Sequence, residues 1–107
     1  MTVTVTVLYP PGKFDLDYYL NKHIPLVAKV WGPKGMKDWR VVKNGPGPDG
    51  ADAPYQIACV ITFDSAESLQ AALTDPGSKE VFEDPKNYTD EVSRKAIFLA
   101  GETVASG

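Results

Sequence analysis

Apolar and polar residues alternate strictly at the start of the chain. Over residues 2–9, Val3, Val5, Val7 and Tyr9 fall on one face, and threonines with Leu8 fall on the other. The Pro-Pro-Gly of residues 10–12 follows, and proline removes a donor from a strand ladder. The pattern predicts a β-strand that ends at Tyr9.

In residues 14–32, the apolar residues recur with the 3.6-residue period of an α-helix. Asp15 is placed to cap a helix, and Gly32 with Pro33 is a stop signal. On a helical wheel, His23 lies near the middle of an apolar stripe. This stripe consists of Leu16, Leu20, Val27 and Val30, flanked by Ile24 and Trp31. Pro25 has no N–H to bond the carbonyl of Asn21, so a kink is expected immediately after His23.

Two further strands and a second helix follow. The mixed polarity of residues 36–44 is typical of an edge strand, whereas residues 55–63 are apolar on both faces and must be covered on both. Asp64 or Ser65 is expected to cap a helix that runs to about Leu73, with Glu67 placed for a capping box. A short helical piece around Val81 and a last strand centred on residues 96–99 complete the chain.

This order, β-α-β-β-α-β, predicts an α+β, ferredoxin-like sandwich over residues 1–107, interpreted as one domain. Two helices cover one face of a four-stranded sheet. The other face would leave apolar rows of the first and third strands in water, and soluble monomers rarely expose such a patch. We therefore expect a homodimer through the sheet face.

Charge and cysteine content exclude several classes of partner. The net charge is −3 and the basic residues are scattered, which argues against nucleic acid and anionic membranes. No apolar run reaches the length of a membrane span. Cys59 is the one cysteine and can form no internal disulfide, so the expected location is the reducing cytoplasm.

His23, the one histidine, is the main candidate for chemistry. A buried imidazole with a lowered pKa is either a core residue with satisfied nitrogens or a general base. Tyr19, one turn earlier, either orients that ring or binds a substrate oxygen, or it only packs against Phe14. Asp90 is interpreted as a turn residue rather than a second acid.

Aromatic residues are either core or the walls of a binding pocket for a small apolar or aromatic molecule. No metal site is expected, because Asp15 and Asp17 lack further ligands at metal-binding spacing. No cofactor is expected either. The candidate pocket residues are Trp31, Trp39, Tyr55, Phe63, Phe82 and Tyr88.

Several of these segments together resemble the EthD family. The central one is residues 18–26, Tyr-Tyr-Leu-Asn-Lys-His-Ile-Pro-Leu, preceded by the turn at 9–14. Residues 31–35, 63–69 and 87–90 support it, so the likeness extends over nearly the whole chain.

The resemblance implies a dimeric α/β barrel of the ferredoxin-like superfamily, whose members are often called reductases. Relatives of this architecture include cofactor-independent monooxygenases, isomerases, and cyclases or dehydratases. The leading hypothesis is a protein that binds a small apolar or aromatic compound between helix one and the sheet, with His23 transferring a proton. The alternatives are a non-catalytic accessory or carrier subunit and a purely structural dimer.

Overall fold

The computed structural model describes residues 2–107. The strands are β1 (Val3–Tyr9), β2 (Met36–Lys43), β3 (Ile57–Phe63) and β4 (Ile97–Glu102). The helices are α1 (Leu16–Tyr18), α2 (Ile24–Trp31), α3 (Ala66–Thr74) and α4 (Ser78–Glu83). A π-helical turn (Tyr19–His23) joins α1 to α2, and 3-10 turns follow α2 (Gly32–Lys34) and α4 (Asp84–Asn87). Within residues 2–107, no helix is both long and apolar enough to cross a bilayer.

The sheet is antiparallel throughout, with the strand order β2-β3-β1-β4. This is the order of a ferredoxin-like fold, and β2 lies at an edge as its mixed polarity predicts. Val7 pairs with Cys59 of β3 and with Phe98 of β4, so these three side chains share one face. The predicted fold class is confirmed.

The helices cover one face of this sheet. Along β1 and β3, the residues on the helical side are mostly buried, and those on the opposite side are only partly covered. Val5 and Phe63 are fully buried on the helical side. On the other side, Leu8 and Val60 are half-buried and Leu99 of β4 is exposed. The predicted bare apolar face is therefore present on this chain.

The π-helical turn changes which residues of the first helical segment face the core. The N–H of Ile24 donates to the carbonyl of Tyr19, five residues back, where an α-helix would reach back four. This wider turn precedes Pro25, at the place where a kink is predicted. Leu20, expected on the buried stripe, is 41% exposed. The buried positions are Tyr19, His23, Ile24, Val27 and Trp31, and all of these except Tyr19 belong to the predicted stripe or its flanks.

The helix starts agree with the sequence except for one detail. Oδ1 of Asp15 accepts the N–H of Tyr18 at 3.0 Å, as the predicted cap requires. Ser65 caps α3 by accepting the N–H of Ser68 at 3.0 Å. Ser68 is therefore the third residue of the helix, and Glu67 is one position too early to complete a capping box.

Candidate active site

A cavity of about 260 Å³ lies between the sheet and the helices. Val7 of β1, Cys59 of β3 and Phe98 of β4 contribute to its floor, and the π-turn, α2 and α4 contribute the opposite wall. The complete lining is Val7, Tyr9, Tyr19, His23, Ile24, Val27, Trp31, Cys59, Ile61, Val81, Phe82, Pro85, Arg94, Ala96 and Phe98. The walls are mainly apolar and aromatic, as in pockets for small organic molecules.

His23 borders this cavity and is held by a carboxylate from another part of the chain. Its Nδ1 lies 2.8 Å from Oδ2 of Asp84, the first residue of the 3-10 turn after α4. Oδ1 of the same carboxylate accepts the hydroxyl of Tyr18 at 2.8 Å and the amide of Asn87 at 3.0 Å. Asp84 therefore has three donors that fix its position, and it in turn fixes the plane of the imidazole.

Burial and hydrogen bonding set the charges of this pair. Burial lowers the pKa of His23, although the neighbouring Asp84 carboxylate opposes the shift. Burial alone would raise the pKa of Asp84, but the hydrogen bonds from Asn87, His23 and Tyr18 together lower it. At neutral pH the imidazole is therefore neutral and the carboxylate is ionised, so Nδ1 carries the proton that it donates to Asp84.

The second ring nitrogen, Nε2, makes no side-chain hydrogen bond to residues 2–107. Among the side chains of these residues, no buried nitrogen or oxygen lacks a hydrogen-bond partner, so Nε2 must retain accessible surface. His23 lines the cavity, and we infer that this surface opens to it. A neutral imidazole with an unprotonated Nε2 can accept a proton there.

Tyrosine rings enclose the imidazole. Tyr19 stacks on His23 with centroids 5.2 Å apart and planes 18° apart, and Tyr88 lies 4.8 Å from the imidazole. The hydroxyls of Tyr9 and Tyr88 are 2.8 Å apart. Burial raises the pKa of Tyr19, so its phenol stays protonated. Tyr19 also packs against Phe14, with centroids 5.0 Å apart.

The structure brings only some of the predicted pocket residues to this cavity. Trp31 and Phe82 line it together with His23 and Tyr19, and the indole N–H of Trp31 donates to Ser78 Oγ at 2.7 Å. The other four candidates do not line it, and Tyr55 is half-buried in the loop before β3. Phe63 is fully buried behind Trp31, Trp39 is 44% exposed on edge strand β2, and Tyr88 lies behind the imidazole.

Sequence reasoning missed Asp84 and Arg94. Asp84 falls in a cluster of turn residues 61 positions after His23, where no periodic pattern connects the two. The one available signal is that a buried histidine needs a partner for each nitrogen.

Asp90, the alternative candidate for a second acid, lies in a turn, as the sequence predicts. Its carboxylate accepts the N–H groups of Lys13, Val92 and Ser93.

Metal ligation has little support among these side chains. Residues 2–107 contain no group of three or more His, Cys, Asp or Glu side chains placed to hold one ion. Burial raises the pKa of the Cys59 thiol, so it remains protonated at the cavity floor.

Solved structures with the same architecture come from several organisms. An EthD-like protein of Ralstonia eutropha JMP134 is 27% identical with a TM-score of 0.84, and the match covers 99% of this chain and 95% of that one. A dimeric ferredoxin-like protein of unknown function from Jannaschia sp. CCS1 is 15% identical, with a TM-score of 0.68 and coverage of 96% and 100%.

SnoaB of Streptomyces nogalater, a cofactor-independent oxygenase, also has a similar fold. It is 8% identical with a TM-score of 0.67 and coverage of 98% and 94%, which is a likeness of fold alone. No curated protein matches the sequence. The family model of the EthD domain matches residues 13–91, a segment that contains His23, Asp84 and most of the cavity wall. The chain belongs to the EthD family.

Proposed function

We propose that this protein binds a small apolar or aromatic molecule in the cavity between α2 and the sheet, and that His23 exchanges a proton with it. The observation that carries the proposal is that Asp84 holds the imidazole of His23 through one nitrogen only. Nδ1 is fixed by Asp84 at 2.8 Å, while Nε2 is left to a cavity of about 260 Å³. A histidine with a structural role alone needs a partner for each buried nitrogen, from the protein or from ordered water, and no side chain of residues 2–107 supplies one to Nε2.

The proton transfer follows from this geometry. Nε2 takes a proton from a carbon or hydroxyl of the bound molecule, and the electron pair stays on that molecule. The imidazolium that forms is stabilised by the Asp84 carboxylate, which stays ionised. The apolar walls exclude water that would compete for Nε2. Reactions of this class include cyclisation, dehydration, isomerisation and cofactor-free oxygenation, and a cofactor-independent oxygenase has this fold.

A homodimer through the bare sheet face is part of the proposal. The register pairs Leu8 with Ile97 and Ala58, so these apolar side chains lie together there, and Val60 lies beside Thr6 and Arg40 on the same face. Leu99 and Val42 on the same face are exposed in the single chain. A second copy would remove these side chains from water. A fold neighbour, the Jannaschia protein, is a dimer.

A non-catalytic carrier is the second candidate function. The hydrogen bonds of Asp84 to His23, Tyr18 and Asn87 tie the first helical segment to the turn after α4. Such a network stabilises the fold whether or not Nε2 reacts. A carrier would bind the same class of ligand and leave its protons unchanged.

Binding can be tested with 2-acetonaphthone, an uncharged aromatic ketone, by isothermal titration calorimetry. Ala96, directly before β4, is exposed and lines the cavity, whereas Ala100 in β4 is exposed and does not line it. Ala96→Phe should weaken binding about tenfold or more by filling the entrance, and Ala100→Phe should leave it unchanged. Absence of binding to the unmodified protein would contradict the proposal.

The same ketone separates an enzyme from a carrier. In deuterium oxide, an enzyme that uses His23 as a base should exchange the methyl protons of bound 2-acetonaphthone, detected by NMR. His23→Gln should abolish that exchange and retain ligand affinity. Binding with no exchange above the solvent rate would favour the carrier.

A further inference from the structure

One positive charge borders the otherwise uncharged lining of the cavity. Arg94 lies in the turn before β4, and its side chain is exposed while it lines the cavity. Every other lining side chain is apolar or aromatic or is a thiol, a phenol or the neutral imidazole. Arg94 therefore marks the side of the cavity that opens to water.

The guanidinium of Arg94 is held in place by the neighbouring turn. Its Nε donates to Thr89 Oγ1 at 3.2 Å, and its Nη2 donates to the carbonyl of Thr89 at 3.0 Å. The Thr89 hydroxyl is itself fixed, because it donates to the carbonyl of Pro85. Nη1 makes no hydrogen bond to residues 2–107, so its N–H groups remain available as donors to a ligand.

This fixed charge has no acidic partner among the described residues. The ion pairs in residues 2–107 join Lys34 to Asp75 and Lys79 to Glu83, and Asp84 bonds the neutral His23, so none of these acids pairs with Arg94. An arginine that is only solvated stays free to move, since ordering its long side chain costs conformational entropy. A guanidinium that is ordered and unneutralised, on a side chain that lines an apolar cavity, is suited to bind an oxygen anion.

We propose that Arg94 binds a negatively charged oxygen, a carboxylate or enolate, on the ligand whose apolar part occupies the cavity. This inference rests on the proposed function and adds the chemical class of its ligand, an apolar or aromatic organic anion. Phe82 and Phe98 flank the same entrance, with centroids 6.5 Å apart and planes at 69°. Both rings are exposed, and they provide apolar contact for the part of the ligand that lies next to its charged end.

A matched pair of probes tests this assignment. In 2-naphthoate a carboxylate oxygen replaces the methyl group of 2-acetonaphthone, so the two differ mainly in charge. The unmodified protein should bind 2-naphthoate more tightly than the ketone, by about fivefold. Arg94→Gln should remove that preference and leave the ketone affinity within about twofold. Arg94→Lys keeps the charge without the planar fork and should retain part of the preference.

Lys29 supplies the control. It is exposed near the end of α2 and does not line the cavity, and Lys29→Gln makes the same change in net charge. This variant should keep the full preference for 2-naphthoate. An equal loss of preference in both variants would overturn the inference, as would equal affinity of the unmodified protein for both probes. Binding of neither probe would overturn the proposed function as well, so the two failures are distinguishable.

Discussion

Nδ1 of His23 lies 2.8 Å from Oδ2 of Asp84, although the two residues are 61 positions apart in the chain. This contact joins the π-helical turn to the 3-10 turn after α4. It decides which nitrogen of the imidazole carries the proton, because an ionised carboxylate accepts and cannot donate. The lone pair is thereby placed on Nε2, at the cavity.

Asp84→Asn should reverse the tautomer of His23. Tyr18 and Asn87 both donate to Oδ1, so the amide oxygen should stay at that position and the amide nitrogen should replace Oδ2. The nitrogen would then donate to Nδ1 and leave the proton on Nε2. Loss of the carboxylate should also lower the pKa of His23 further, since that charge opposes the effect of burial. The chain has one histidine, so ¹⁵N spectra at pH 8 report it without overlap.

Asp90→Asn is the matched control for this experiment. Asp90 also has a lowered pKa, about 2, which results mainly from backbone N–H donors, first from Ser93 and then from Lys13. It makes no hydrogen bond to His23, so the tautomer should not change. An Nδ1–H tautomer in the Asp84→Asn protein would show that Asp84 does not set the protonation of the ring.

Stability should fall as the pH is lowered below about 6.5. The unfolded histidine binds a proton near its usual pKa of 6.5, and the folded one binds it only at lower pH. The unfolded state therefore holds more protons in this range, and the free energy of unfolding decreases by up to about 1.4 kcal/mol per pH unit. Urea unfolding at fixed protein concentration measures it.

His23→Gln separates this effect from other acid effects. The variant should show a flatter pH dependence between about pH 6.5 and 5, because the titrating group is gone. A second loss of stability, below the usual Asp pKa of 3.8, should remain in both proteins. It arises because the pKa values of Asp84 and Asp90 are lowered in the folded state. Identical slopes between pH 6.5 and 5 would mean that His23 is not the group involved.

Leu99→Lys should disrupt the proposed dimer. Leu99 pairs with Thr6 on the bare sheet face and is 52% exposed in the single chain. Burying an unpaired lysine there should weaken self-association by about a hundredfold or more. Val92, 55% exposed in the turn before β4, allows a control substitution Val92→Lys of similar exposure. Sedimentation velocity should give a dimer for the unmodified protein and the control; a monomer for the unmodified protein contradicts the proposal.

The fold could be predicted from the sequence because its signals are local and repeated. The pattern predicts the strands: Val3, Val5 and Val7 alternate with polar residues, and β3 is apolar on both faces. The capping residues Asp15 and Ser65 are visible in the same way. Each of these signals depends on neighbours within a few positions of each other.

The details of the site depend on contacts that a periodic pattern does not contain. The π-helical turn adds one residue before Pro25, so a regular helical wheel places Leu20 inside when it lies outside. Asp84 reaches His23, and Arg94 reaches the cavity, from turns, where side-chain direction follows from tertiary packing. Trp39 lies on the helical face of the sheet, paired with Ile61, but β2 is an edge strand and the cavity lies elsewhere.

The most direct test of the account is whether a bound ligand touches the imidazole. With 2-acetonaphthone bound, the Cε1 proton of His23 adjoins Nε2 and should show nuclear Overhauser effects to the naphthyl protons, which Ala96→Phe should remove. Binding without any such effect, at a ligand concentration that saturates the protein, would place the ligand away from His23 and contradict the proposed chemistry.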